Sequence, residues 1–134
     1  MGIKATPSTD EATEQPFGEQ LLTLASGLRE EVAMWALVTE EQILSRDTVR
    51  KALVYRNLDG SRGLAWERLD SRFYELGLDE ASQSFLDLVL SAVGIAHRTS
   101  LVRVMDLDEH RMAIILRAMI RLSGCDTLAV GTRT

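Results

Sequence analysis

One cysteine, two histidines and two prolines in 134 residues withhold much of the chemistry from which functional sites are usually built. The lone Cys125 cannot close an internal disulfide, and a single thiol is ordinary in a reducing compartment, so a cytoplasmic protein with an unstapled core is expected. Two histidines, His97 and His110, are too few for most metal sites. His110 does stand beside Asp106, Asp108 and Glu109, but acids there are what a helix start favours. No apolar run approaches the length a bilayer demands, since the longest candidate, Met112–Ile120, covers about half of it. The opening MGIKATPSTDEATEQP carries one lysine and no apolar stretch, which fits neither a signal peptide nor a membrane anchor. Gly60–Gly63 reads GSRG and lacks the Lys-Ser/Thr of a phosphate loop, and no cofactor is implied anywhere.

What is present is enough apolar material for one good core. At 46% hydrophobic content, 134 residues make a single domain that needs no metal to hold it. Residues 1–16, rich in Thr, Ser, Glu and Pro, have almost nothing to bury and are expected to form a disordered tail, leaving 17–134 as the folded unit. The net charge of −5 is unevenly spread. Up to Ser45, two basic side chains stand against eight acidic ones; from Arg46 to Arg72, seven stand against four; from Phe73 onward, six against eight. A basic middle thus lies between acidic ends, in a long-range field that repels polyanions.

The apolar spacing is helical almost throughout. Phe17, Leu21, Leu24, Leu28, Val32, Trp35 and Ala36 recur at steps of three or four, with Gly27 able to weaken or bend the helix they define. Thr39 with Gln42 has the form of a capping box, and Ser45 with Asp47 offers a second start, so a helix from about Arg46 to Arg56 follows, anchored by Val49, Ala52 and Leu53. Asn57–Gly63, NLDGSRG, is a turn. The third helix spans about Leu64 to Leu76 with Ala65 or Trp66, Leu69, Phe73 and Leu76 on one face, closing at Gly77. Asp79 caps the fourth, which points Ala81, Phe85, Leu88, Val89, Ala92 and Val93 inward and Gln83, Ser84, Asp87 and Ser91 outward, as far as Gly94. Ser100–Met105 fits a short helix better than a strand, and Asp106 or Asp108 caps a last helix ending near Ser123-Gly124, before an extended tail.

That last helix is the most telling segment. From Met112 to Ile120 only Arg117 is polar; His110, Arg117 and Arg121 form one narrow stripe, opposite Met112, Ile115, Leu116, Met119 and Leu122. A helix this apolar must be the centre of a bundle, or must have its second face covered by another subunit. Met105, Met112 and Met119 recur every seven residues, as adaptable docking surfaces and ordinary core filler both allow.

No constellation argues for catalysis. His97, His110, Asp87 and Cys125 are scattered, Cys125 lacks a nucleophile's local signature, and Asp87 fits a solvent-facing position. One stretch does carry a hint. Val38–Leu53, VTEEQILSRDTVRKAL, resembles the second half of a bacterial helix-turn-helix at Ser45, Arg46, Thr48, Val49, Ala52 and Leu53. The resemblance implies contacts to DNA through Arg46, Thr48, Arg50 and Lys51. It covers about sixteen residues, has Ile43 where the turn usually has Gly, and is followed by no alternating strand pair able to form a wing.

The expectation is therefore an all-α protein, a compact bundle of five to six helices with a strongly apolar C-terminal helix and a disordered N-terminal tail. Its expected role is that of a non-enzymatic interaction or regulatory module without a cofactor. It would pair with itself, or with another protein, through Met112, Ile115, Leu116, Met119 and Leu122. The alternative is a DNA-binding regulator working through the basic 45–56 helix.

Overall fold

The computed structural model describes residues 17–94 and 99–133. The tail assigned to residues 1–16 and the candidate His97 lie outside that range. Among the described residues six α-helices and two 3-10 turns carry nearly all of the regular structure, so the all-α expectation holds, with one small exception. The helices are α1 (Phe17–Leu24), α2 (Gly27–Glu40), α3 (Asp47–Leu53), α4 (Trp66–Ser71), α5 (Glu80–Val93) and α6 (Glu109–Ser123). The exception is an antiparallel hairpin, β1 (Val54–Arg56) with β2 (Arg62–Leu64), inserted between α3 and α4. The 3-10 turns are Phe73–Glu75 and Leu101–Asp106, the second bearing out the helical reading of Ser100–Met105.

The long first helix is broken in two. Gly27 takes φ = +84°, a left-handed conformation that a side chain resists, so the chain kinks between α1 and α2. The consequence is architectural, because α2 is free to run through the middle of the molecule. Val32, Ala33, Met34, Ala36 and Leu37 are all buried, an arc of more than half the circumference of α2, and Trp35 and Val38 on the remaining side are half-buried. Two alanines on adjoining faces let α5 and α6 approach closely, and α1 covers part of what remains. The central place expected of the C-terminal helix thus belongs to α2, which packs against α1, α5 and α6. That expectation is corrected for α6, which is flanked by α2 and α5 and buries only Arg111, Ile114, Ile115 and Ala118.

Helix starts follow the side-chain chemistry where an acid is available. The Asp79 carboxylate accepts the Ser82 N–H at 2.8 Å at the head of α5, and Asp108 accepts the Arg111 N–H at 2.8 Å at the head of α6. The hydrogen bond from Ser82 holds the Asp79 carboxyl below the usual range. A group so depressed stabilises the fold above its ordinary pKa and loses that contribution as pH falls through the lowered value. Asp79→Ala is therefore expected to cost about 1 kcal/mol at neutral pH. The difference from the parent should shrink below about pH 4, as parallel thermal melts would show.

The start expected at Ser45 is displaced, because Ser45 Oγ donates to the Gln42 carbonyl and α3 begins after Arg46 without a side-chain cap. The helix is also shorter than expected: residues 54–56 turn into β1 and pair with residues 62–64, so a strand pair does follow the helix-turn-helix-like stretch. Arg68 secures that junction, donating to the carbonyls of Ala52 at 2.7 Å, Val54 at 2.9 Å and Lys51 at 3.0 Å. Gly63 lies opposite Tyr55, and a Cβ there would fall on the Tyr55 ring. The third helix contracts to α4 and a 3-10 turn, yet Trp66, Leu69, Phe73 and Leu76 are buried as their spacing requires.

Candidate functional site

Three elements meet at one end of the bundle around a buried ion pair. Glu40, the last residue of α2, points its carboxylate between the first turns of α5 and α6. One carboxylate oxygen accepts Arg111 Nε at 3.0 Å and Nη2 at 2.8 Å, while the other accepts the Ile43 N–H at 2.9 Å. Arg111 Nη2 also donates to Ser82 Oγ at 2.9 Å and Gln42 Oε1 at 3.3 Å. The side chains of Arg111 and Glu40 are 8% and 1% exposed, so each charge depends on the other. Because both α5 and α6 begin where α2 ends, they run alongside each other and opposite to it.

From that junction the three helices enclose an apolar groove of about 580 Å³. One wall is α6, whose Met112, Ile115, Leu116, Met119 and Leu122 all line it. All five residues singled out from the sequence therefore share one surface. The floor is α2, through Val32, Ala33 and Ala36, and the far wall is α5 with the 3-10 turn, through Leu88, Ala92, Leu101 and Val104. Hydroxyls of Ser91 and Thr99 are almost the sole polar groups on it.

The far wall is fastened by polar contacts that a helical wheel assigns to solvent. Ser84 and Asp87 were expected to point outward, but both are buried. Ser84 Oγ donates to Asp106 at 2.6 Å, and Asp87 accepts Arg103 Nε at 3.0 Å and Thr99 Oγ1 at 3.1 Å. These bonds strap the 3-10 turn onto α5, and its apolar side chains face the groove or water. Leu101 and Met105 are 72% and 79% exposed, and Leu116 and Met119 on the opposite wall 36% and 52%. Large apolar side chains left exposed on both sides of a groove are a recognised mark of an interaction surface.

The other candidates are not gathered. His110 is exposed on the first turn of α6 and Cys125 is exposed beyond its end, roughly 20 Å apart along the helix. Among the described residues no three of His, Cys, Asp and Glu come together as a metal site needs. The helix-turn-helix-like residues are partly engaged in the protein's own structure. Thr48 Oγ1 donates to the Leu76 carbonyl at 2.7 Å, and Arg50 donates to the Leu44 carbonyl at 2.8 Å. Lys51 pairs with Asp47 at 2.9 Å, which holds that carboxyl below the usual range, and Arg46 is exposed.

Comparison with protein families, with curated proteins and with solved structures finds no match to this chain. Sequence reasoning missed Glu40 and Arg111 altogether. The available signal was Arg111 itself, three and four residues before Ile114 and Ile115 and seven before Ala118, which places it on the buried face.

Proposed function

We propose that this protein is a non-enzymatic interaction module that pairs with a second copy of itself through the groove between α2, α5 and α6. The observation that carries the reading is the convergence of Met112, Ile115, Leu116, Met119 and Leu122 on one open apolar wall. A second copy is the favoured occupant because this surface bears a ridge and a furrow side by side. Leu116 and Met119 protrude beside the cavity that Val32, Ala36 and Leu88 line, so a two-fold axis across α6 sets the ridge of each copy in the furrow of the other. Methionine suits such a contact because its unbranched thioether adapts to irregular gaps. Aliphatic walls of this kind support binding rather than bond-making. A reducing, cytoplasmic setting fits Cys125, a single exposed thiol.

Light scattering tests this directly. The expected result is twice the chain's 14.9 kDa at tens of micromolar, falling towards one chain on dilution. A monomer mass at every concentration up to hundreds of micromolar would overturn the pairing.

A second reading, a regulator that contacts duplex DNA, is favoured by the hairpin that follows α3 and adds Arg56 and Arg62 to its basic side chains. In a dimer two such corners are presented symmetrically, as two half-sites require. Binding to duplex DNA is then expected to weaken steeply with salt and to be reduced by Arg46→Ala with Lys51→Ala, which spares the structural Arg50 and Thr48. Fluorescence anisotropy with mixed-sequence duplexes measures it.

A further inference from the structure

The hairpin has a feature that its own stability does not explain. Arg56 and Arg62 are direct cross-strand partners, so their side chains leave the same face of a two-stranded sheet. Like charges set directly opposite destabilise a strand pair. Among the described residues Arg62 has one neutral partner, Gln20 Oε1 at 2.9 Å, and Arg56 has no hydrogen bond or ion pair. Both line a shallow cleft together with Arg50 and Lys51 from the last turn of α3, flanked by Phe17 and Tyr55. Among the described residues the carboxylate bonded to this group is Asp47, shared between Arg50 at 3.4 Å and Lys51 at 2.9 Å. Among the described residues four cations thus face one acid, in a chain whose net charge is −5.

We infer that this cleft is a seat for a phosphate group. A tetrahedral dianion or phosphodiester placed between Arg56 and Arg62 turns their mutual repulsion into two attractive, charge-assisted contacts, and guanidinium groups match its oxygens in pairs. Lys51 supplies a flexible third cation at the edge. Arg50 contributes charge while its carbonyl contact to Leu44 holds it in place. The seat is separate from the apolar groove and does not require the chain to pair. Its phosphate can come from a nucleic-acid backbone or from a free phosphate compound.

Backbone amide NMR of the full chain, titrated with inorganic phosphate against chloride at constant ionic strength, tests the seat. Saturable shifts are expected in residues 50–63, weakened about tenfold by Arg56→Gln and restored only in part by Arg56→Lys, which keeps the charge but not the paired donors. Arg117→Gln, which removes the same charge from α6, should leave the titration unchanged. Arg56→Gln should fold at least as stably as the parent, since it relieves a like-charge pair. A short duplex oligonucleotide that competes with phosphate for the same amides assigns the phosphate to nucleic acid; phosphate binding without oligonucleotide binding assigns it to a free phosphate compound. The inference falls if neither ligand gives saturable shifts there, or if Arg117→Gln weakens binding as much as Arg56→Gln.

Discussion

Arg111→Ala is expected to remove about 3–5 kcal/mol of folding stability, although the substitution deletes a charge from a strongly apolar helix. The reason lies in what remains. Glu40 is 1% exposed and would keep a carboxylate, between α2 and the first turns of α5 and α6, with only the Ile43 N–H to stabilise it. Water cannot readily replace the two guanidinium contacts in so closed a site. Ser82 would lose its bond from Arg111 at the same time. In a domain of this size the loss corresponds to a fall in melting temperature on the order of 10 °C. The pair is expected to contribute far less than either single deletion suggests. Glu40→Leu combined with Arg111→Met removes both charges and fills similar volume, so it should recover most of the stability. Chemical denaturation of Glu40→Leu, Arg111→Met and the double variant completes the cycle. A double variant as unstable as Arg111→Ala would show that the ion pair itself, and not the orphaned charge, supplies the stability.

The second large effect concerns association. Met119 is half exposed in the isolated chain, so Met119→Glu should leave the monomer's melting temperature nearly unchanged. In the pair its carboxylate would be forced into a cavity lined by Val32, Ala36, Leu88 and Leu101. The two-fold axis doubles that cost, because both copies carry the change. Desolvating even one such group by about 3 kcal/mol raises Kd about a hundredfold. Leu116→Glu should behave alike, and Glu109→Gln, on the exposed first turn of α6, should not. Sedimentation equilibrium across a thousandfold concentration range separates these outcomes. Unchanged association in Met119→Glu would place the contact elsewhere on the molecule.

Much of the architecture was legible because helix signals are local. Asp79 and Asp108 mark their helix starts with a side chain three residues from the N–H they accept, and periodic Phe85 and Val89 mark a buried face within a single turn. The hairpin was not legible, because three residues per strand are too few to display alternation, and Val54–Arg56 continues a helical spacing without a break. Ser84 and Asp87 defeated the helical wheel for a different reason. Their partners Asp106, Arg103 and Thr99 lie 12 to 22 positions away, and a wheel of α5 contains none of them.

The candidate site shows the same division. The apolar wall of α6 could be listed from spacing alone, and all five of its residues share the groove. The degree of enclosure could not. A wheel gives the width of an apolar face, but the number of neighbours available to cover it is a tertiary quantity. Here Gly27 diverts the chain so that α2, with its small Ala33 and Ala36, takes the central position. With α2 in the middle, α6 is displaced to the side and one of its faces is left uncovered.

Whether that open face is closed by a second copy can be observed at the methionines themselves. In a sample mixing methyl-labelled and differently labelled chains, intermolecular NOEs are expected from the methyl groups of Met112 and Met119, which line the groove, and none from Met34, which is buried in the core. Methyl signals of Met112 and Met119 that show no intermolecular contact and do not move with concentration would contradict the pairing at its source.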